Sequence, residues 1–288
     1  MTETIEQVCE IELPTNFLYG ISKCFIYFMN MSFIFKNENM LCISAMGINN
    51  VILTEISIPL FKHDNCHSIY PDKIFNENLS DTTFSIDTSK LYHVMNEIKS
   101  SDSIILQFIH VVGSTYNIKK ILFKSTTGLL HYEFELKCNN NNRKLNMIDN
   151  IINQYNLVKF TLNEDYIKQI ANYLKSVNYI RAEFEYSSLP ESVYNNANHH
   201  LKIKKIFDED YNDLKSDIII PVGLKYDENI KTIKSVYNHE YLNVVATIMK
   251  MINFDKYSMY FNSDVPIVFD FEKSREYYVR CIIAPIVQ

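Results

Sequence analysis

At 288 residues, with 47% hydrophobic and 22% charged side chains, the chain is long enough for one large domain or two ordinary ones with full cores. A net charge of −6 excludes nucleic-acid binding by bulk charge, so any such role needs basic residues gathered on one surface. Five glycines leave little room for phosphate loops, and no apolar run of about 18 uncharged residues marks a membrane span.

The acidic start Met1–Glu6 lacks the basic segment of a signal peptide. Ile11-Glu12-Leu13 alternates as a short strand, and Pro14-Thr15-Asn16 opens a helix with Thr15 or Asn16 as N-cap. On that helix Phe17, Ile21, Phe25 and Phe28 recur at helical spacing. Phe33–Phe35 and Leu41–Met46 flank a Lys36–Asn39 turn as a hairpin. Val51–Ile58 reads as a strand with Val51, Leu53, Glu55 and Ser57 on one face and Ile52, Thr54, Ile56 and Ile58 on the other. After the strand Phe84–Ile86, Asp87 or Thr88 caps a helix that buries Leu91, Val94, Met95 and Ile98. Strands follow at Ile104–Ile109, Ile118–Phe123 and Leu129–Leu136.

Cys138–Asn156, with its run Asn139–Asn142, is the linker of the chain. The pattern then restarts. Leu157–Leu162 is a strand, and Asn163 caps a helix that buries Tyr166, Ile167, Ile170, Leu174 and Val177. Ile180–Tyr186, Leu201–Phe207 and Ile218–Val222 are strands, and a last helix turns Leu242, Val245, Met249 and Ile252 inward. Tyr257–Phe261, Val265–Phe271 and Tyr277–Ile283 close the chain as strands, with Pro266 marking an edge strand or a strand start. The last strand ends at Ala284-Pro285, and the apolar tail Ile286, Val287 and Gln288 needs a neighbour to be held. Residues 1–137, a loop at 138–156 and residues 157–288 therefore form an architectural repeat of strand, helix, strands, helix and strands.

Chemistry-bearing patterns are scarce. The six cysteines are scattered without a C-x-x-C pair and read as buried thiols of a reducing compartment. His63-Asp64-Asn65-Cys66-His67 lacks a second pair of zinc ligands, and adjacent His199 and His200 point to opposite faces of a strand. Asp208–Asp213 begins like a calcium loop but has no glycine at its sixth position. No metal, cofactor or catalytic residue is expected, and the chain does not read as an enzyme.

Several stretches carry a family resemblance. Ser263-Asp264-Val265-Pro266-Ile267-Val268, with Ile283-Ala284-Pro285-Ile286, resembles the C-terminal hairpin and tail of the proliferating cell nuclear antigen (PCNA) sliding clamps. Ile43–Val51 is similar to the family's hydrophobic-x-Ser-Met-Asp-x-x-His-Val segment, with Asn50 in place of the histidine. Asp87–Leu106 matches in layout, Tyr132–Leu136 is similar to the strand closing the first half, and Asn139–Asn156 falls at the interdomain connecting loop.

The resemblance implies an α+β fold of two similar clamp domains, with antiparallel sheets outside and four helices lining a ring interior. It implies a homotrimer around double-stranded DNA, read without sequence preference, in which Leu129–Leu136 of one copy pairs with Leu201–Ile206 of the next. Lys23, Lys90, Lys99, Lys168, Lys175 and Lys250 would face DNA, while His93, Asn96 and Glu240 stand where the family carries basic residues. Met46, Asn50, Val51, Leu53, Ile148, Pro266, Ala284, Pro285 and Ile286 would line a groove for PIP-box-like client peptides. The implied partners are DNA polymerase, other replication and repair proteins and a clamp loader, with no membrane. The implied place is the nucleus, or a cytoplasmic replication compartment for a viral copy. The alternative is a clamp-fold subunit of a transcription or checkpoint heterotrimer.

Overall fold

The computed structural model describes residues 5–26, 28–36, 40–47, 51–59, 83–100, 102–111, 120–126, 131–135, 137–139, 147–175, 179–188, 199–207, 216–224, 232–251, 253–273 and 277–286. The chain divides into two compact units. One holds Met1–Asn50, Glu55–Lys144 and Arg275–Tyr277, the other Val51–Thr54, Leu145–Ser274 and Tyr278–Gln288.

The first part of the chain runs β1 (Ile5–Pro14), α1 (Thr15–Phe25), β2 (Phe28–Lys36), β3 (Met40–Gly47), β4 (Ile52–Pro59), β5 (Thr83–Asp87), α2 (Thr88–Ile98), β6 (Ser103–Val111), β7 (Lys120–Ser125), β8 (His131–Glu135) and β9 (Lys137–Asn139). After α3 (Met147–Gln154) the order returns as β10 (Val158–Leu162), α4 (Glu164–Lys175), β11 (Arg181–Ser188), β12 (His199–Ile206), β13 (Ser216–Pro221), the two-residue β14 (Gly223–Leu224), β15 (Thr232–Asn238), α5 (His239–Met251), β16 (Lys256–Phe261), β17 (Ile267–Lys273) and β18 (Tyr277–Ile283).

Strand order repeats as well. Unit 1 has the antiparallel sheet β1-β6-β7-β8 and the run β4-β3-β2-β5-β9. Unit 2 has the antiparallel sheet β13-β12-β11-β15 and the run β14-β10-β16-β17-β18, which continues to β4, whose residues 52–54 belong to this unit. Each unit thus sets the strand before its helix pair beside the strands that follow that pair, and four of the strands between the two paired helices side by side. Large aromatic side chains join the two layers. Phe33 of β2 meets Phe108 of β6 edge-to-face at 5.8 Å in unit 1. Phe184 of β11 meets Phe261 of β16 and Phe269 of β17 at 6.4 and 6.5 Å in unit 2.

The helices pack in pairs, α1 on α2 and α4 on α5. Helix α2 buries Leu91, Val94, Met95 and Ile98, which recur at i, i+3, i+4 and i+7. Its N-cap is Asp87, whose carboxylate accepts the backbone N–H groups of Ser89 (2.9 Å) and Lys90 (3.1 Å). The Ser89 hydroxyl donates to the same oxygen, and these hydrogen bonds hold the carboxyl below its usual pKa. Asn163 caps α4 in the same way, its side-chain oxygen accepting Tyr166 N–H at 2.8 Å. Asn238 accepts Glu240 N–H at 2.8 Å at the start of α5.

Several sequence expectations change. Thr15 lies inside α1 with no side-chain cap before it, and its N–H instead donates to the Asp102 carbonyl at 3.1 Å. Phe28 starts β2 rather than extending α1. Strand β4 is buried at every position from Ile52 to Ile58, so its alternation does not separate core from solvent. Strand β17 starts at Ile267 between two neighbours, so Pro266 marks a start and not an edge. Thr232–Asn238 is a strand that the sequence reading did not find. The expected loop at 138–156 contains α3, because Met147, Ile148, Ile151 and Ile152 share a helical spacing. Asn156, at φ 48°, follows the helix in the left-handed conformation that asparagine tolerates. Tyr166, expected inward, is only partly buried.

Candidate functional site

The exposed faces of the paired helices carry all six expected lysines, on the helices or directly after them. Lys23 is exposed on α1, Lys90 on α2 and Lys99 just past its end; Lys168 and Lys175 are exposed on α4, and Lys250 on α5. Acidic groups share these faces. Glu97 is exposed on α2, Glu164 and Asp165 on α4, and Glu240 on α5. Lys168 is tied to Glu164 at 2.5 Å, an i,i+4 pair that raises the lysine pKa. Exposed pairs of this kind add little stability, but they cancel local charge.

A second surface forms around the C-terminal tail. Ala284 N–H donates to the Val51 carbonyl at 2.8 Å, and Ile286 N–H to the Val236 carbonyl at 2.8 Å. The tail is therefore held as an extra extended segment. Below it, the Tyr237 hydroxyl donates to the Val265 carbonyl at 3.0 Å, next to Pro266. Burial pushes the Tyr237 phenol upward, which keeps it a neutral donor. Asp264, at φ 55°, makes the bend that delivers Val265 and Pro266 there. Val51, Pro266, Ala284, Pro285 and Ile286 are partly exposed around this seam, whereas Leu53 is buried and belongs to the core. Met46 is partly exposed in β3, Ile148 lies in α3, and Asn50 falls outside the described residues.

No protein-family model matches the chain, and no curated protein matches its sequence. Solved structures do. Proliferating cellular nuclear antigen from Entamoeba histolytica aligns over 98% of this chain and 100% of its own at 9% identity, with a TM-score of 0.65. A. fulgidus PCNA, in a structure with the C-terminal region of FEN-1 bound, aligns over 98% and 99% at 14% identity with a TM-score of 0.61. The PCNA2–PCNA3 complex from Sulfolobus tokodaii aligns over 96% and 98% at 14% identity with a TM-score of 0.60. The chain has the PCNA sliding-clamp fold.

Within that clamp fold one of the two expected joining strands, Leu129–Leu136, contains the edge strand β8, and the other is not at an edge. Strand β12 is bonded to β11 on one side and β13 on the other, so Leu201–Ile206 is not available to a second chain. The sheets end, among the described residues, on β1 and β8, on β14 and β9, and on β13 and β15, so the edge beside β12 is β13. Val236 was also missed as the anchor of the tail, because the strand that carries it was missed. Among the described residues no group of three or more potential ligands could hold a metal. His199 accepts or donates to the Tyr186 hydroxyl at 2.8 Å, while its neighbour His200 is buried. Cys24, Cys42 and Cys281 are buried thiols. The His63–His67 and Asp208–Asp213 stretches lie outside the described residues.

Proposed function

We propose that the chain is a DNA sliding clamp: copies joined head-to-tail into a closed homotrimer around duplex DNA, acting as a processivity factor and docking platform for DNA polymerase and other replication or repair proteins. It is a scaffold and not an enzyme. The observation that carries this reading is the position of two sheet edges, β8 and β13. Strand β18 ends its run beside β4. Strand β8 holds the corresponding place in unit 1, and β13 the place of β4 in unit 2, and neither is covered among the described residues. A second copy that set its β13 against β8 would repeat the β18–β4 pairing that the chain already makes. Unsatisfied edges recruit strands, and a head-to-tail contact that closes by rotation gives a ring. The edge acids do not oppose this. Asp217 of β13 is paired with Lys202 at 3.0 Å, and Glu133 of β8 with Lys120 at 2.6 Å.

A ring holds DNA by topology. The test is retention on nicked circular duplex against the same duplex linearised. The expected result is a complex of three copies that stays on the circle and runs off the linear form. A monomer in solution, or equal loss from both forms, would sink the reading.

The tail seam supports client docking, in keeping with the FEN-1 segment bound to A. fulgidus PCNA. Apolar anchors beside open backbone groups suit a short extended or helical peptide. Ala284→Asp places a charge between Val51 and Ile286 and should weaken a PIP-box-like peptide about tenfold or more, since buried unpaired charge costs over about 1 kcal/mol. The assembly state should not change. Unaltered peptide affinity by calorimetry would remove the groove assignment.

The alternative is a clamp-fold subunit of a transcription or checkpoint heterotrimer. The acidic groups Glu97, Glu164, Asp165 and Glu240 among the helix lysines favour it. A stable purified monomer that closes only with different chains would decide for that reading.

A further inference from the structure

The two units repeat closely enough to carry a register from one to the other. Leu13 and Leu162 each stand two residues before a helix, α1 at Thr15 and α4 at Glu164. Leu13 pairs with Ile104 and Ile104 with Ser125; Leu162 pairs with Tyr257 and Tyr257 with Phe271. Lys124 of β7 therefore holds the place of Asp270 of β17. His131 lies opposite Lys124, and Arg280 reaches Asp270 at 3.5 Å, so His131 of β8 holds the place of Arg280 of β18. Between the helices, Phe33 and Phe184 match as the rings that meet Phe108 and Phe261. Phe33 pairs with Ile43 and Phe184 with Ile203, so Cys42 matches Lys202. Cys42 has Ser57 beside it, Sγ to Oγ 3.4 Å, and Lys202 has Ile219. Ile219 of β13 therefore holds the place of Ser57 of β4.

The bond from Ala284 N–H to Val51 O fixes how β18 lies along β4. Antiparallel strands run in opposite senses, so four residues back from Ala284 comes level with four residues on from Val51. The first is the Arg280 position, and the second lies two residues before Ser57. Carried over to β8 and β13, that register sets His131 of one copy directly opposite Asp217 of the next. Both residues are exposed.

We propose that His131 and Asp217 form an ionic latch across the joint between two copies of this chain, closed when the imidazole is protonated. The proposal rests on the sliding-clamp reading and adds to it a control of ring closure. Within unit 2, Arg280 is answered by an acid on its own sheet, Asp270. Lys124 stands at that place in unit 1, so the acid that answers His131 in the same row comes from across the joint. The other charges nearby are Glu133 next to His131 along β8, and Lys202 and Lys204 on β12 beside Asp217. Glu133 is engaged by Lys120 at 2.6 Å, and Asp217 by Lys202 at 3.0 Å. Joining leaves these neighbours in place and adds a facing pair of opposite charge, which stabilises adjacent strands. The β12 lysines stand one strand further from His131, so they weaken the attraction without reversing it. Histidine changes charge between about pH 5 and 8. The joined state favours the protonated ring, so association is strongest in acid and is lost as pH rises through that range. An exposed ion pair is worth about two- to fivefold in affinity, and three joints in a closed ring multiply this to about tenfold or more.

Sedimentation of the full-length protein over a pH series reads the latch. Wild type should associate about tenfold more tightly at about pH 6 than at about pH 8. His131→Lys carries a charge that does not titrate there and should keep the tight association at both. Asp217→Asn should show the weak association at both. Both sites are exposed, so neither substitution uncovers core. Wild-type association that does not change with pH, or a pH dependence that either variant keeps, overturns the latch and leaves the sliding clamp standing. Wild type that stays monomeric throughout overturns the sliding-clamp reading and the latch together.

Discussion

Ile219→Pro should convert the assembly to monomers while leaving each chain folded. The reasoning runs through the hydrogen-bond parity of β13. In an antiparallel pair, residues alternate between those that exchange N–H and C=O groups with the partner and those whose groups point away. Strands β12 and β13 pair His200 with Pro221 and Lys202 with Ile219. The Val222 N–H donates to His199 O at 3.1 Å, so even-numbered residues here face β12. Ile219 therefore turns its N–H and C=O to the open edge, on the same parity as Pro221, which has no N–H to offer. Its side chain is 47% exposed, so the substitution uncovers no core. Proline removes an outward donor and spares the β12 ladder. Ile219→Lys, which keeps the donor but blunts the edge with charge, should weaken association less. Sedimentation measures both. A full-size assembly of the proline variant would mean that β13 is not the joining edge.

The repeat was legible because it is written in period. The inward faces of α2, α4 and α5 follow helical spacing, and Asp87 and Asn163 announce the starts of two helices through cap chemistry that depends on local residues alone. What failed was whatever depends on neighbours. Leu201–Ile206 looks like a good strand, and it is one, but its sequence does not say that β13 will cover its outer side. Thr232–Asn238 breaks strand alternation, with Lys234 beside Ser235 and Val236 beside Tyr237, and Lys234 reaches Glu183 across to β11 at 2.9 Å, so it reads weakly as a strand without its partner. Buried polar groups mislead in the same way. Lys205 is buried on β12 because its ammonium rests over the rings of Tyr173 at 4.0 Å and Tyr179 at 5.0 Å. Desolvation lowers its pKa. Tyr173 comes from α4 and Tyr179 from the segment before β11, so no local pattern on β12 predicts that lysine's place. The tail seam was half legible: the apolar tail from Ile286 onward calls for a neighbour, but the bond of Ile286 to Val236 depends on a strand about fifty residues away.

Phe184→Ala should cost about 3–5 kcal/mol, because it opens a cavity where the two sheets of unit 2 meet. Phe184 is fully buried on β11, at the centre of β12-β11-β15. It meets Tyr237 of β15 edge-to-face at 5.6 Å on its own sheet and Phe261 and Phe269 on the opposite one. These neighbours are rigid aromatic rings on hydrogen-bonded strands, so they cannot collapse into the space the ring leaves. Edge-to-face contacts add about 0.5–1.5 kcal/mol beyond buried area. Phe184→Leu keeps much of the volume and should cost appreciably less. The damage should also reach the tail seam, because Tyr237, whose hydroxyl holds Val265, loses its ring partner. Denaturant unfolding followed by circular dichroism gives the stability loss, and peptide calorimetry under native conditions gives the effect on the seam. A loss below about 1 kcal/mol for the alanine variant would show that the two sheets are not held together through this ring.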